Sequence, residues 1–228
     1  GRLFIAGYRI DDGDRPWVRI VTQKGAVTEQ PLSEAAIAQG GEPVIGFVER
    51  NFKEGDDDVT RYEFVVSFGS EQTPDGAPGG NGVDVHTLLY FFDTAQDPDS
   101  YVPVWGIVTG TSGDDFPRWT GIDEDGGYVV NAGETNGQWT NENAAGGVDS
   151  FLQRIDTTVD GNSVVPVVAW IRQVGSAGHD ESVVGGSTST SSPLLIGDSS
   201  GAVSGQPQLG GKDAFFYIAS SADSTINV

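Results

Sequence analysis

Val104-Trp105-Gly106-Ile107-Val108-Thr109-Gly110-Thr111-Ser112-Gly113-Asp114-Asp115 is matched, 65 residues later, by Ala169-Trp170-Ile171-Arg172-Gln173-Val174-Gly175-Ser176-Ala177-Gly178-His179-Asp180. Each stretch runs a β-branched and aromatic segment into a glycine and then into a polar turn, which reads as a strand and its exit. Self-similarity at a fixed spacing decides architecture before single elements do. Further along each copy, Gly146-Gly147-Val148-Asp149-Ser150-Phe151 matches Gly210-Gly211-Lys212-Asp213-Ala214-Phe215 at an offset of 64. Between these anchors Tyr128–Thr135 aligns with Ser182–Thr188 at an offset of 53, so the later copy is expected to have lost a turn and regained length afterwards.

The N-terminal half carries weaker echoes. Gly1–Tyr8 resembles the apolar strand ending in glycine, Gly40–Glu49 the double-glycine strand, Tyr62–Gly69 the Trp strand, and Gly82–Phe92 a second double-glycine strand. The spacing gives four units, 1–50, 51–100, 101–165 and 166–228, the first missing its opening strands and the second shortened. Helical periodicity is confined to Leu32–Gln39, where Pro31 at the start and Gly40 at the end predict one short helix on a connection.

Composition agrees with a chain of short strands. Its 228 residues include 33 Gly and 11 Pro, which implies many turns, and no Cys, which removes disulfides, thiolate metal sites and Cys nucleophiles. The formal charge is −21, from 33 acidic residues (22 of them Asp) against 12 basic ones, only three of which are Lys. That balance argues against nucleic acid as a partner, because phosphate binding needs a clustered cationic face. No apolar run approaches a membrane span, and the N-terminus has no basic, apolar signal segment. Without any Met, and starting on an apparent strand, the chain reads as a processed product or an excised part of something longer.

The copy from Val104 to Asp156 resembles the SBBP family, a β-propeller repeat of long secreted bacterial proteins. It carries that family's Trp strand ending in Gly (Trp105, Gly110), then Ser112-Gly113-Asp114-Asp115, the turn Asp123-Glu124-Asp125-Gly126, the strand end Ala132-Gly133-Glu134-Thr135, and Gly146-Gly147-Val148-Asp149-Ser150-Phe151. The copy from Trp170 to Ile218 supplies most of these. The resemblance implies an all-β fold, a β-propeller built from four-stranded antiparallel blades in one domain spanning 1–228, in an extracellular setting. Packing physics points the same way, since a four-stranded unit cannot bury both faces alone and stacks on its neighbours. Trp, Phe and Val positions are then expected between blades. The Asp before Ser/Ala-Phe is expected to be a turn residue bonded to backbone two residues on.

Candidate chemistry is sparse. His179 occupies the repeat position of Asp114 and reads as a turn residue; His86 lies between Val85 and Thr87 on an apolar strand and reads as packed. No Gly-x-Ser-x-Gly elbow accompanies either histidine, so no Ser-His-Asp site is expected. Asp114 with Asp123 is the carboxylate pair one would nominate for glycoside hydrolysis, but turns explain both. The run Gly205–Asp213 fails as a phosphate loop because Lys212 is one place late and Asp213 stands where Ser/Thr belongs. Weak calcium binding is the one cofactor the residues suggest, at Asp11-Asp12-Gly13-Asp14, Asp123-Glu124-Asp125-Gly126 or Asp56-Asp57-Asp58, although none completes an EF-hand. Trp17, Trp119 and Trp139 stand outside the repeat's Trp strands and offer glycan or protein contact.

These readings assign no catalytic, cofactor-binding or metal residue. They lead to a non-catalytic structural or adhesive propeller module, secreted or at the cell surface, meeting other chains or domains through blade edges. A glycan-binding or glycan-cleaving propeller and a subunit of a filament or surface layer are the alternatives. Because open strand edges are rarely left unpaired, Gly1–Ile5 is expected to pair with another blade or chain, or Ser224–Val228 to close the ring against the first unit.

Overall fold

The computed structural model describes residues 2–9, 13–22, 27–54, 57–73, 82–93, 102–123, 127–160, 163–185, 193–203, 206–219 and 226–227. They form four antiparallel meanders, one after another along the chain. Sheet 1 contains β1 (Arg2–Arg9), β2 (Arg15–Thr22) and β3 (Val27–Pro31); sheet 2 contains β4 (Val44–Glu54), β5 (Asp57–Ser70), β6 (Asp84–Asp93) and β7 (Val102–Thr109). Sheet 3 contains β8 (Asp115–Ile122), β9 (Tyr128–Thr135), β10 (Asp149–Asp160) and β11 (Ser163–Val174); sheet 4 contains β12 (Asp180–Gly185), β13 (Leu194–Ser199), β14 (Asp213–Ala219) and β15 (Ile226–Asn227). The fold is all-β, and each sheet after the first has four strands.

The sheets stack in chain order: β1 lies on β4, β4 and β5 lie on β8, and β12 lies on β8, β9 and β10. A sheet covered on both faces buries successive residues rather than alternate ones. All eight residues of β9 are accordingly buried, Val130 and Ala132 facing sheet 4 while Val129 faces sheet 2. In β5, Phe64 and Val66 pack against sheet 1 and Val65 against sheet 3. Trp105 of β7 fills the core between sheets 2 and 3, its Nε1 donating to Thr157 Oγ1 at 3.2 Å, and Trp170 of β11 packs into the core between sheets 3 and 4.

A polar cluster also joins sheets 2 and 3. Asn131 Oδ1 accepts from Thr120 Oγ1 (2.8 Å) and Ser67 Oγ (3.0 Å), while its Nδ2 donates to Thr87 Oγ1 (2.8 Å) and Gln153 Oε1 (3.2 Å). Every member is buried. With all four of its hydrogen bonds made, Asn131 specifies how the two sheets sit, while the buried Nε2 of its partner Gln153 has no hydrogen-bond partner among the described residues.

Several expectations are corrected by the pairings. The Trp strands β7 and β11 hydrogen-bond to β6 and β10, so each closes the sheet before it; unit boundaries at 100/101 and 165/166 therefore cut through sheets 2 and 3. Sequence similarity carries spacing but no phase, whereas hairpin pairing fixes phase. Tyr62–Gly69 belongs to β5, a second strand, and Gly40–Glu49 leads into β4, a first strand; neither occupies the position it resembles. Sheet 2 is complete, not shortened. No turn is lost in the last copy either, because the counterpart of β9 is β13, not the Ser182–Gly185 portion of β12.

Leu32–Gln39 is not a helix. Its backbone is bound by neighbouring strands instead: Leu32 N–H donates to Pro16 O, Ile37 N–H to Asp14 O, Ala38 N–H to Gly69 O, and Ala36 N–H to Gln72 Oε1, all within 3.0 Å. Donors committed to strand partners cannot close i to i−4 bonds. At the ends, Ile226–Asn227 pairs with β14 in its own sheet rather than with sheet 1, and among the described residues β1 pairs with β2 alone. Among the described residues no extensive contact joins sheet 1 to sheet 4.

Candidate functional site

The loops that lead from one sheet to the next share a construction. Asp115 Oδ2 accepts from Thr111 N–H (2.6 Å) and Thr111 Oγ1 (3.0 Å); Asp180 accepts from Ser176 N–H (2.5 Å) and Ser176 Oγ (3.0 Å). The same backward bond, from the backbone four residues earlier, runs from Ala145 to Asp149 (2.8 Å) and from Leu209 to Asp213 (2.6 Å). Thus Asp149 and Asp213 are turn residues whose bonds run backward by four, not forward by two. A carboxylate here closes a five-residue loop by charge-assisted bonds. Cross-sheet bonds then fix each loop: Asp115 N–H donates to Val83 O and Asp180 N–H to Val148 O, both at 2.7 Å.

These carboxylates face one another. A Cβ on Gly110 would lie 1.8 Å from Asp84 Oδ1 and 3.1 Å from Asp115 Oδ2, so only glycine fits between them; Gly175 stands in the same way against Asp149. Burial pushes Asp115 up to about 6, with the charge of Asp84 adding and the Thr135 and Thr111 hydrogen bonds opposing. Burial likewise raises Asp84 and Asp149, and the charge of Asp180 adds to the rise in Asp149. Asp115 and Asp149 are almost wholly buried, so their role is to hold loops and sheets together.

A latch built on β11 holds the loop that contains Trp139. Gln173 Nε2 donates to Asp149 Oδ2 (2.7 Å) and Gly137 O (2.9 Å), its Oε1 accepts from Trp139 N–H (3.0 Å), and Glu142 pairs with Arg172 at 2.9 Å. The Trp139 ring packs on Phe151 at 5.4 Å beside Val85 and Ile171. Only spatial pairing reveals this cluster, because Gln173, Asp149 and Trp139 share no sequence motif.

The residues singled out from sequence are dispersed. His86 is fully buried on β6, its ring 4.9 Å from Phe68; neither nitrogen has a hydrogen-bond partner of good geometry, and burial lowers its pKa to about 4, opposed weakly by the Gln72 backbone. His179 is an exposed loop residue whose N–H donates to Ser200 Oγ at 2.8 Å, as Asp114 N–H does to Asn136 Oδ1 at 2.6 Å. Asp114 and Asp123 flank opposite ends of β8, a separation of roughly 25–30 Å at ~3.3 Å per residue, and so form no catalytic pair. Trp139 is buried and Trp119 packs into the core of sheets 3 and 4, while Trp17 is half-buried with Arg19 over its ring at 5.0 Å. Asp11, Asp12, Asp56 and 124–126 lie outside the described residues; Gly13 and Asp14 form the left-handed turn between β1 and β2. Among the described residues no group of three or more His, Asp or Glu is arranged to hold a metal ion.

The most open features lie on the terminal sheets. On sheet 4, Ile196 and Phe216 are cross-strand partners and are 37% and 58% exposed, with Ile218 beside them on the same face. Their counterparts one sheet earlier, Ala132 and Leu152, are buried beneath sheet 4. Leu3 and Ile5 are exposed on the face of sheet 1 turned away from sheet 2, while Phe4 and Ala6 pack inward. A cavity of about 360 Å³ opens between the Gly201–Leu209 loop and the start of β14. Compared with models of known protein families the chain matches none, and no curated protein matches it.

Proposed function

We propose that the chain is a non-catalytic structural or adhesive module built as a run of SBBP-like propeller blades, secreted or at the cell surface, that joins other protein through the faces of its terminal sheets. The observation that carries this reading is the exposure of Ile196 and Phe216 at positions which, one sheet earlier, are covered by the following sheet. Apolar residues placed in this way favour burial under another sheet at roughly 25 cal/mol per Å². Leu3 and Ile5 offer a second such face at the other end, so the contact is head-to-tail. Extracellular placement rests on the motif resemblance, and the strongly acidic composition suits a saline exterior. Sedimentation velocity tests the docking: wild-type protein should associate with rising concentration in 0.15 M salt, and Phe216→Glu or Leu3→Glu should each abolish association without lowering Tm. A chain that stays monomeric to millimolar concentration removes this reading.

A further inference from the structure

The joints between sheets 2 and 3 and between sheets 3 and 4 are built on the same pair of carboxylates, repeated 65 residues later. Asp84 begins β6 and Asp115 begins β8; Asp149 begins β10 and Asp180 begins β12. In each joint the Asp that opens the later sheet is tied through its N–H to the carbonyl just ahead of its partner, Val83 or Val148. Asp115, Asp149 and Asp180 are no more than 1% exposed, and neither Asp115 Oδ1 nor Asp149 Oδ1 has a hydrogen-bond partner of good geometry. Gly110 stands against Asp84 and Asp115, and Gly175 against Asp149, so closely that a Cβ on either would collide with a carboxylate. Neighbouring charges are engaged elsewhere: Arg118 with Glu134, Arg172 with Glu142, and the carboxylate of Asp114 with Asn136 and the Val83 N–H. His86, two residues along β6 from Asp84, is held neutral by burial down to about pH 4, and His179 is exposed.

We propose that each joint is a proton-operated switch: one negative charge per pair lets the two sheets seat, and loss of the remaining proton, from Asp115 or from Asp149, loosens that joint. A protonated carboxyl turns the partnerless oxygen into a donor with a second carboxylate nearby, whereas an ionised one leaves two buried like charges facing each other. An acid that binds its proton more tightly in the closed joint than in the released loop stabilises closure at low pH, and that contribution is lost as pH rises. Burial, with the charge of Asp84 adding, places Asp115 at about 6 against its ordinary 3.8, and burial moves Asp149 in the same direction. For Asp115 these two values change the closing equilibrium about tenfold between pH 5 and pH 7.5. Because the switch lies inside the chain, it works whatever the outer faces of sheets 1 and 4 meet.

Amide hydrogen exchange of the ¹⁵N-labelled chain reads the switch. Thr111 and Asp115 report the first joint, Ala145 and Asp180 the second, and Val129–Ala132 in β9 serve as the reference that absorbs global effects such as that of His86. Relative protection at the first joint should fall about tenfold from pH 5 to pH 7.5, and at the second in the same direction. Asp115→Asn keeps an acceptor for Thr111 and adds an amide donor, so it should hold the first joint closed at both pH values while the second still switches. Asp149→Asn should do the reverse. Carboxyl ¹³C shifts of the wild type should give Asp115 a midpoint near 6, a readout that stands even if a variant fails to fold. Joint protection that changes less than twofold, pH dependence that survives in the matching variant, or an Asp115 midpoint near 4 overturns the proposal. So does recovery of protection at pH 7.5 in millimolar calcium chloride, which would make the pair a cation site instead.

Discussion

His86 shows how a single buried side chain sets a pH dependence. Its ring is neutral in the folded chain because burial lowers its pKa to about 4, whereas the unfolded chain titrates near 6.5. Below 6.5 the unfolded state binds the proton that the folded state refuses, so stability from this residue falls as pH drops from 6.5 to 4. Asp115 acts oppositely: with a folded pKa of about 6 against 3.8, its contribution is present at low pH and is lost as pH rises through that interval. The two slopes oppose each other between pH 4 and 6. His86→Leu should therefore gain on the wild type by about 2 kcal/mol between pH 8 and pH 5 in urea titrations, with linkage as the only pH-dependent difference. A gap that does not change with pH would show that the histidine titrates normally. Sequence alone placed His86 on an apolar strand as a packed residue. It could not reveal the raised pKa of Asp115, because that comes chiefly from burial between packed sheets, with the charge of Asp84, 31 positions earlier on the adjoining sheet, adding to it.

Strand β11 carries two jobs at once, closing sheet 3 and pinning the Trp139 loop through Gln173. Removing the amide leaves Trp139 N–H, Gly137 O and a carboxylate oxygen of Asp149 short of a partner, and each buried group left unpaired costs about 1–3 kcal/mol. Gln173→Leu is expected to lower unfolding free energy by about 2–4 kcal/mol by chemical denaturation, with Trp139 emission moving to the red before global unfolding. Arg172→Ala, which breaks a partly exposed pair with Glu142, should cost about 1 kcal/mol or less. Equal losses for both would place the loop's anchor in the ion pair instead. At this scale the strands were legible: residues of β7, β9, β10 and β11 follow the β-branched and aromatic runs read from Val104 onward. The Leu32–Gln39 segment was not, since its helical composition is overruled by donors engaged with Pro16, Asp14, Gly69 and Gln72. Local propensity is a weak prior when a neighbouring strand offers better partners.

Across the whole molecule, acidity and order are distributed together. Asp84, Asp115, Asp149, Asp180 and Asp213 all lie at strand beginnings, four of them closing loops by the same backward hydrogen bond, while the centres of β5 and β9 carry no charge other than Glu63 near the start of the buried run. The offset of 64 to 65 residues made the stacking of sheets foreseeable; the phase of the Trp strands and the relation between the two chain ends depended on pairings that spacing does not encode. Those ends decide how the sheets are used. If sheets 1 and 4 closed on each other, their apolar outer faces would pack at the ~10 Å spacing of stacked sheets, and spin labels on Leu3→Cys and Phe216→Cys, placed without interference because the chain has no native Cys, would couple at short range in the isolated chain. With the extensive sheet contacts among the described residues running from neighbour to neighbour, the expected outcome in dilute solution is no coupling below about 20 Å. Short-range coupling should emerge only on concentration and disappear when the labelled protein is diluted into excess unlabelled chain, the signature of contact between molecules. Coupling that persists under that dilution would mean that one chain closes its own ring, leaving its outer faces no partner to meet.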